Sequence, residues 1–292
     1  MNKGIKRFFI ICAAVTCLGL VAATVGYFTG GASGMEKLSG RYSWIRAGAP
    51  EMTGLDLAEA AGSENVSFDS VNIRGDMDIC IASGSYADTR LIYDERETAP
   101  TFEVKDGTLT VDADNVDSGV LINLGSGDST PQLTVCIPQG KTLDDINISS
   151  DSGDIKISDI SAKDISIYND MGDVEMDNVG FDSAALEIDY GDVTCSSISG
   201  KGLKITAGQG DVEVSGRLLG ITDVTTDYGD VDILTSLPES SYSVDVKADL
   251  GDIDIGSHDY GDMEHISFGS GADMIKVAAD MGDISIEFAD SL

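Results

Sequence analysis

The dipeptide Gly-Asp recurs at Gly153, Gly172, Gly191, Gly210 and Gly229, each nineteen positions after the one before, and returns at Gly251 and Gly282. Constant spacing marks a fold built by stacking one unit on the next, because a chain of independent turns has no reason to keep count. An apolar, any, apolar triplet follows each dipeptide: Ile155 and Ile157, Val174 and Met176, Val193 and Cys195, Val212 and Val214, Val231 and Ile233, Ile253 and Ile255, Ile284 and Ile286. Seven and five positions before the glycine lies a second alternating pair, at Ile146 and Ile148, Ile165 and Ile167, Leu203 and Ile205, Val244 and Val246, and Ile275 and Val277. A third apolar residue follows in most units, at Ile160, Val179, Ile198, Leu218 and Leu237. Alternation of period two reads as short half-buried strands, so each unit divides into three faces of one triangular coil.

A unit this short cannot bury its apolar residues alone. Stacked at ~4.8 Å, each strand pairs in parallel with its equivalents above and below, and the interior fills with ladders of Ile and Val. The expected fold is therefore all-β, a single-domain β-solenoid of parallel β-helix type with coils of about nineteen residues, occupying residues 63–292. The alternative is a meander of antiparallel hairpins turning at each Gly-Asp, as in a sandwich or barrel. Residues 66–138 are less regular but still strand-like (SVNIRGDMDICIA, TRLIYDE, TFEVKDGTLTVDA, QLTVCIP) and read as the first, looser coils. The 34 glycines and 5 prolines, against 8 Phe and 1 Trp, suit many tight turns and thin layers better than a helix bundle.

Ahead of the strands, residues 8–28 form a run without a charge, long enough as a helix to cross a ~30 Å hydrocarbon core. Lys3, Lys6 and Arg7 precede it, in a basic tail at 1–7. The positive-inside rule holds that tail in the cytoplasm and places the remainder outside, which makes this a single-pass protein of the cell membrane with an extracytoplasmic domain. The competing reading is a cleaved signal peptide, with Val21 and Ala23 as its small-residue site. Residues 29–62 read as a juxtamembrane stalk, in which 51–61 suits a short helix capping the first coil.

The formal net charge is −33. Such a surface repels phosphate backbones and anionic headgroups, which excludes nucleic acid as a partner and leaves cations, cationic polymers, an envelope protein or a glycan. Of the five cysteines, Cys12 and Cys17 lie in the apolar run and Cys80, Cys136 and Cys195 are isolated. There is no CxxC, so neither a disulfide framework nor a zinc site is indicated.

The block TFEVKDGTLTV followed by QLTVCIPQGKTLDDINI, and then the iterated unit typified by residues 203–214, resembles the putative-adhesin family of bacterial envelope proteins, which includes LiaG-like membrane-anchored proteins. The resemblance covers 65–288. It implies a solenoid ectodomain, an N-terminal anchor, and a part in adhesion or envelope stress response, with no catalytic residues to carry over.

The sharpest candidate site is the tetrad Asp-x-Gly-Asp, at Asp151/Asp154, Asp170/Asp173, Asp189/Asp192, Asp227/Asp230, Asp249/Asp252, Asp259/Asp262 and Asp280/Asp283. Stacked coils stack these carboxylates, and unit charges ~5 Å apart repel by roughly 1 kcal/mol in water, so a ladder of Ca²⁺ is one way to relieve them. The alternative is that the first Asp forms an Asx-turn and the second caps turn amides. The fourth unit breaks the pattern with Gly208 and Gln209. The second tetrad position is Met171, Tyr190, Tyr228, Leu250, Tyr260 or Met281, and Tyr190, Tyr228 and Tyr260 are candidates to hold sugar faces or peptide side chains.

Enzyme chemistry lacks parts. His258 and His265 are the only histidines, and HExxH, GxSxG and GxxxxGK are absent. Carboxylates alone can cleave polysaccharides on a β-helix, but every candidate pair is also a repeat residue. The reading is a non-enzymatic, surface-displayed adhesin-like scaffold or binding module. Its alternatives are an envelope-stress accessory acting through a membrane partner and, last, a polysaccharide-cleaving enzyme.

Overall fold

Alternation in the sequence becomes alternation in burial. In the strand Ser161–Met171, Ala162, Ile165, Ile167 and Asn169 are buried while the residues between them face out. A computed structural model describes residues 45–46, 52–56, 67–84, 88–94, 100–113, 122–123 and 131–289. Its strands are β1 (Ile45–Arg46), β2 (Met52–Asp56), β3 (Ser70–Arg74), β4 (Asp78–Gly84), β5 (Asp88–Asp94), β6 (Thr101–Lys105), β7 (Thr108–Asp112) and β8 (Ile122–Asn123). The central coils carry β9 (Gln132–Pro138), β10 (Thr142–Ser150), β11 (Ile155–Ser158), β12 (Ser161–Met171), β13 (Val174–Asp177), β14 (Gly180–Tyr190), β15 (Val193–Gln209), β16 (Val212–Tyr228) and β17 (Val231–Thr235). The last are β18 (Tyr242–Leu250), β19 (Ile253–Ile255), β20 (His258–Asp259), β21 (His265–Gly269), β22 (Asp273–Met281) and β23 (Ile284–Phe288).

Two units partition the chain. The smaller takes in residues 1–51 and 119–128, where β1 pairs in parallel with β8. The larger, residues 52–118 and 129–292, is a single curled sheet of twenty-one strands.

In its centre every pairing is parallel and shifted by one unit. Ile146 and Ile148 lie beside Ile165 and Ile167, which lie beside Ala184 and Leu186, then Leu203 and Ile205. On the next face Ile155 and Ile157 continue through Val174 and Met176, Val193 and Cys195, and Val212 and Val214. A third ladder runs Leu143, Ala162, Phe181, Gly200, Leu218, where large and small side chains alternate so that the Phe181 ring lies over Gly200. The antiparallel meander is thereby replaced by the parallel stacking that a solenoid requires.

Both ends depart from chain order. After β16 and β17 the next level in space is β22 and β23, the last strands of the sequence, and β18 and β19 stack outside them. At the other end β3 and β4 sit directly on β10 and β11, while β7 and β9, later in the chain, lie beyond. Each end then closes with antiparallel strands: β6 on β7, β5 on β9 and β2 on β5 at one, β21 on β18 and β20 on β19 at the other. An edge strand needs partners for its amides and carbonyls, and a reversed strand supplies them without inviting another parallel coil. The short helix expected over 51–61 is instead strand β2 at residues 52–56, so hydrogen-bonding a bare edge takes precedence over covering it with a helix. Folded structure thus reaches into residues assigned to the stalk. Among the described residues no helix is long and apolar enough to cross a membrane, and the anchor expected over 8–28 lies outside them.

Candidate functional site

The Gly-Asp dipeptides form one corner of the coil. Gly191 has φ +144°, and a Cβ there would stand 2.2 Å from the carbonyl oxygen of Gly172 in the coil below. The backbones approach so closely that only glycine fits. Its N–H donates to the Gln209 carbonyl on one side, and the following aspartate knits the corner to the other.

That aspartate forms a ladder. The N–H of each donates to the carboxylate Oδ1 of the one before, from Asp154 on Asp78 through Asp173, Asp192, Asp211, Asp230 and Asp283 to Asp252, at 2.8 to 3.1 Å. The second tetrad aspartate therefore caps an amide in the neighbouring coil. Asp78 and Asp211 belong to the ladder although neither sits in a full tetrad; Gly210-Asp211 carries the nineteen-residue signal that identifies it. The first tetrad aspartates, Asp151, Asp170, Asp189, Asp227, Asp280 and Asp249, flank the corner on its other side, and Asp170 accepts a hydrogen bond from the Tyr168 hydroxyl, which pushes that phenol up to about 12. Among the described residues no group of three or more His, Cys, Asp or Glu is arranged to hold a metal ion.

Between the two aspartates the corner presents its second position outward. The register places Met171, Tyr190, Gln209, Tyr228, Met281 and Leu250 on consecutive rungs. Met171 is 59% exposed, Tyr190 52%, Tyr228 51%, Met281 40% and Leu250 64%. The stripe is continuous only because β22 is inserted between β16 and β18. The tetrad 259–262 does not join it. It lies in the hairpin of β19 and β20, where the Gly261 N–H donates to Asp259 Oδ1 in an Asx-turn and Gly261 has φ +56°. Tyr260 is accordingly separated from Tyr190 and Tyr228, half-buried against the core and stacked on His258 at 6.1 Å.

The interrupted fourth unit makes a notch in the stripe. Asp189, Tyr190, Gly208, Gln209, Asp227 and Tyr228 line a recess of ≈ 240 Å³. Another corner holds a polar groove of ≈ 340 Å³ beside Asp159, Asn178 and Ser197, which take left-handed φ at nineteen-residue spacing. Asp and Asn tolerate that region through local hydrogen bonding, and Asn178 donates to Asp159 Oδ1 at 2.7 Å. Four lysines of the described residues pair elsewhere, with acids of adjoining rungs: Lys156 with Glu175, Lys163 with Asp144, Lys201 with Asp182 and Lys276 with Asp223. His265 pairs with Asp245 at 2.6 Å on the exposed end strands.

Residues 108–287 match the family described as Toastrack DUF4097. The chain belongs to the Toastrack DUF4097 family. Among solved structures, the Toastrack chain is similar to a putative adhesin from Bacteroides fragilis, at 13% identity over 81% of this chain and 98% of that one, with a TM-score of 0.44. It is also similar to a putative cell adhesion protein from Clostridium sporogenes (16% identity, 82% and 99% covered, TM-score 0.37) and a putative lipid binding protein from Parabacteroides distasonis (11%, 80% and 98%, 0.33). Nothing among curated proteins matches the chain.

Proposed function

We propose that this Toastrack chain is a non-enzymatic binding module, displayed outside the cell membrane on an N-terminal anchor, which engages its partner along the corner stripe. The observation that carries this is the register: five of the large apolar side chains that stand exposed fall on consecutive or next-but-one rungs of a single corner. Exposed apolar residues in a row, rimmed by charge, are what a binding surface looks like, whereas scattered ones need no explanation. Support for display outside the membrane comes from the uncharged run at 8–28 behind three cations.

Site-specific photocross-linking in intact cells tests the reading. A cross-linking residue at position 190 is expected to yield a defined adduct, and the same residue at Lys201, on another face, is expected to yield none. Equal yields at both positions, or no adduct at 190, overturn the proposal. Protease added outside intact cells is expected to digest the domain, and cell-wall glycans incubated with the protein are expected to show no new reducing ends.

A further inference from the structure

The notch at the fourth unit has a composition the rest of the stripe lacks. Tyr190, Gln209 and Tyr228 occupy three consecutive rungs, so at ~4.8 Å per rung the two tyrosines are about 9.6 Å apart. A group seated over the middle rung is then about 4.8 Å from the rung of each ring, inside the ~6 Å reach of a cation held by an aromatic face. Asp189 and Asp227 stand beside the two tyrosines and line the same recess. Neither has an ion pair among the described residues. Gly208, on the middle rung where the other units carry aspartate, leaves that rung without a carboxylate and lies close against its neighbour, since a Cβ there would stand 2.6 Å from the Asp189 carbonyl oxygen.

We propose that this notch binds a protonated alkylamine or a guanidinium group, and that the partner on the stripe is therefore a polypeptide presenting Lys or Arg side chains. The carboxylates decide between cations. An ammonium or guanidinium donates N–H to Asp189, Asp227 and the Gln209 side-chain oxygen while its charge lies between the rings; a quaternary ammonium uses the rings alone. A neutral sugar donates hydroxyls to the same carboxylates but gains no attraction of opposite charge from them, and an anionic one is repelled by the surface around it. The inference rests on the reading of the stripe as a binding surface and adds what that surface selects.

The test titrates the full chain in non-ionic detergent with butylammonium, with a guanidinium of similar size and with tetramethylammonium, following ring-labelled tyrosines by NMR. Saturable shifts of Tyr190 and Tyr228, with Tyr168 unmoved, are expected for the first two probes. Tyr190→Ala or Tyr228→Ala is expected to weaken binding about two- to fivefold, and Asp189→Asn with Asp227→Asn together about tenfold. These positions are exposed and the Asn changes keep side-chain shape, so folding is preserved and the melting temperature serves as its check. Tetramethylammonium binding as tightly as butylammonium overturns the proposal, as does a saturable shift with a neutral oligosaccharide in place of the amines, or shifts that never saturate. An adduct at position 190 without amine binding defeats the cation inference and leaves the stripe standing; amine binding without an adduct does the reverse.

Discussion

Gly191→Ala puts a methyl group where the coil below already has its backbone. The new Cβ would stand 2.2 Å from the Gly172 carbonyl oxygen and 2.6 Å from its carbon, so the coils must part locally by about 1 Å to reach ordinary contact. Two hydrogen bonds join these two coils at the corner, from the Gly172 N–H to the Tyr190 carbonyl and from the Asp192 N–H to Asp173 Oδ1, both 2.9 Å. Weakening them costs about 1 kcal/mol each, and holding alanine at φ +144° adds about 1–3 kcal/mol. The expected loss is about 3–5 kcal/mol, a large part of the total stability of an ordinary domain. Two controls separate the causes. Gly140 has φ +77° but nothing within 4 Å of its Cβ, so Gly140→Ala carries the conformational term alone, about 1–2 kcal/mol. Gly202 is outside the left-handed region and its Cβ meets only the Asp182 carbonyl oxygen, at 3.8 Å, so Gly202→Ala is expected to be nearly neutral. Urea unfolding followed by circular dichroism ranks the three variants by midpoint at constant slope. If Gly191→Ala falls within about 1 kcal/mol of Gly140→Ala, close approach between coils is not what demands glycine at the corner.

Burial pushes the Cys195 thiol up to about 12 from an ordinary 9.0. The unfolded chain releases this proton above pH 9 and the folded chain keeps it, so stability is intact below pH 9 and falls toward pH 12 by about 1.4 kcal/mol per pH unit; unfolding at pH 8.5, 10 and 11 is expected to show a steeper loss for the natural chain than for Cys195→Ala. Asp192→Ala removes the acceptor of the Asp211 N–H and is expected to cost about 1 kcal/mol, whereas Asp192→Asn keeps an oxygen there, relieves repulsion along the column and is expected to match or exceed the natural melting temperature at low salt. Millimolar Ca²⁺ is expected to raise the melting temperature no more than NaCl of equal ionic strength, since one oxygen of every ladder aspartate but the terminal Asp252 is already engaged; a saturable extra rise would show a metal site on the column. Phe181→Ala is expected to cost about 3–5 kcal/mol, and Gly200→Ala, whose Cβ would stand 1.9 Å from the Phe181 ring, is expected to be far better tolerated in the Phe181→Ala background, as a double-mutant cycle would reveal.

Much of the fold was legible because its determinants repeat. Ile146, Ile165 and Leu203 announce one buried ladder and Ile155, Val174 and Val193 another, since period two within a strand and period nineteen between strands are properties of the chain alone. Thr222, buried between Leu203 and Ile275, was invisible to a search for apolar pairs. The site was legible in part. Tyr190 and Tyr228 could be placed on one corner by counting, but Gly208 and Gln209 read as a defect in a ladder, whereas side by side with their neighbours they form its recess. The hydrogen bonds from Asp amides to carboxylates run between coils, and no local pattern indicates their direction.

The period by itself determined strand, face and parallel register through the middle of this protein, because every interior coil has an identical neighbour to pair with. At the ends that redundancy fails. Which coil lies outermost depends on which edge is better closed by a reversed strand, a long-range competition that placed β22 and β23 inside β18 and β19. The same placement sent the 259–262 tetrad into a hairpin and joined Tyr228, Met281 and Leu250 into one stripe. Tertiary structure alone decided that, because an edge is defined only once the rest of the sheet exists.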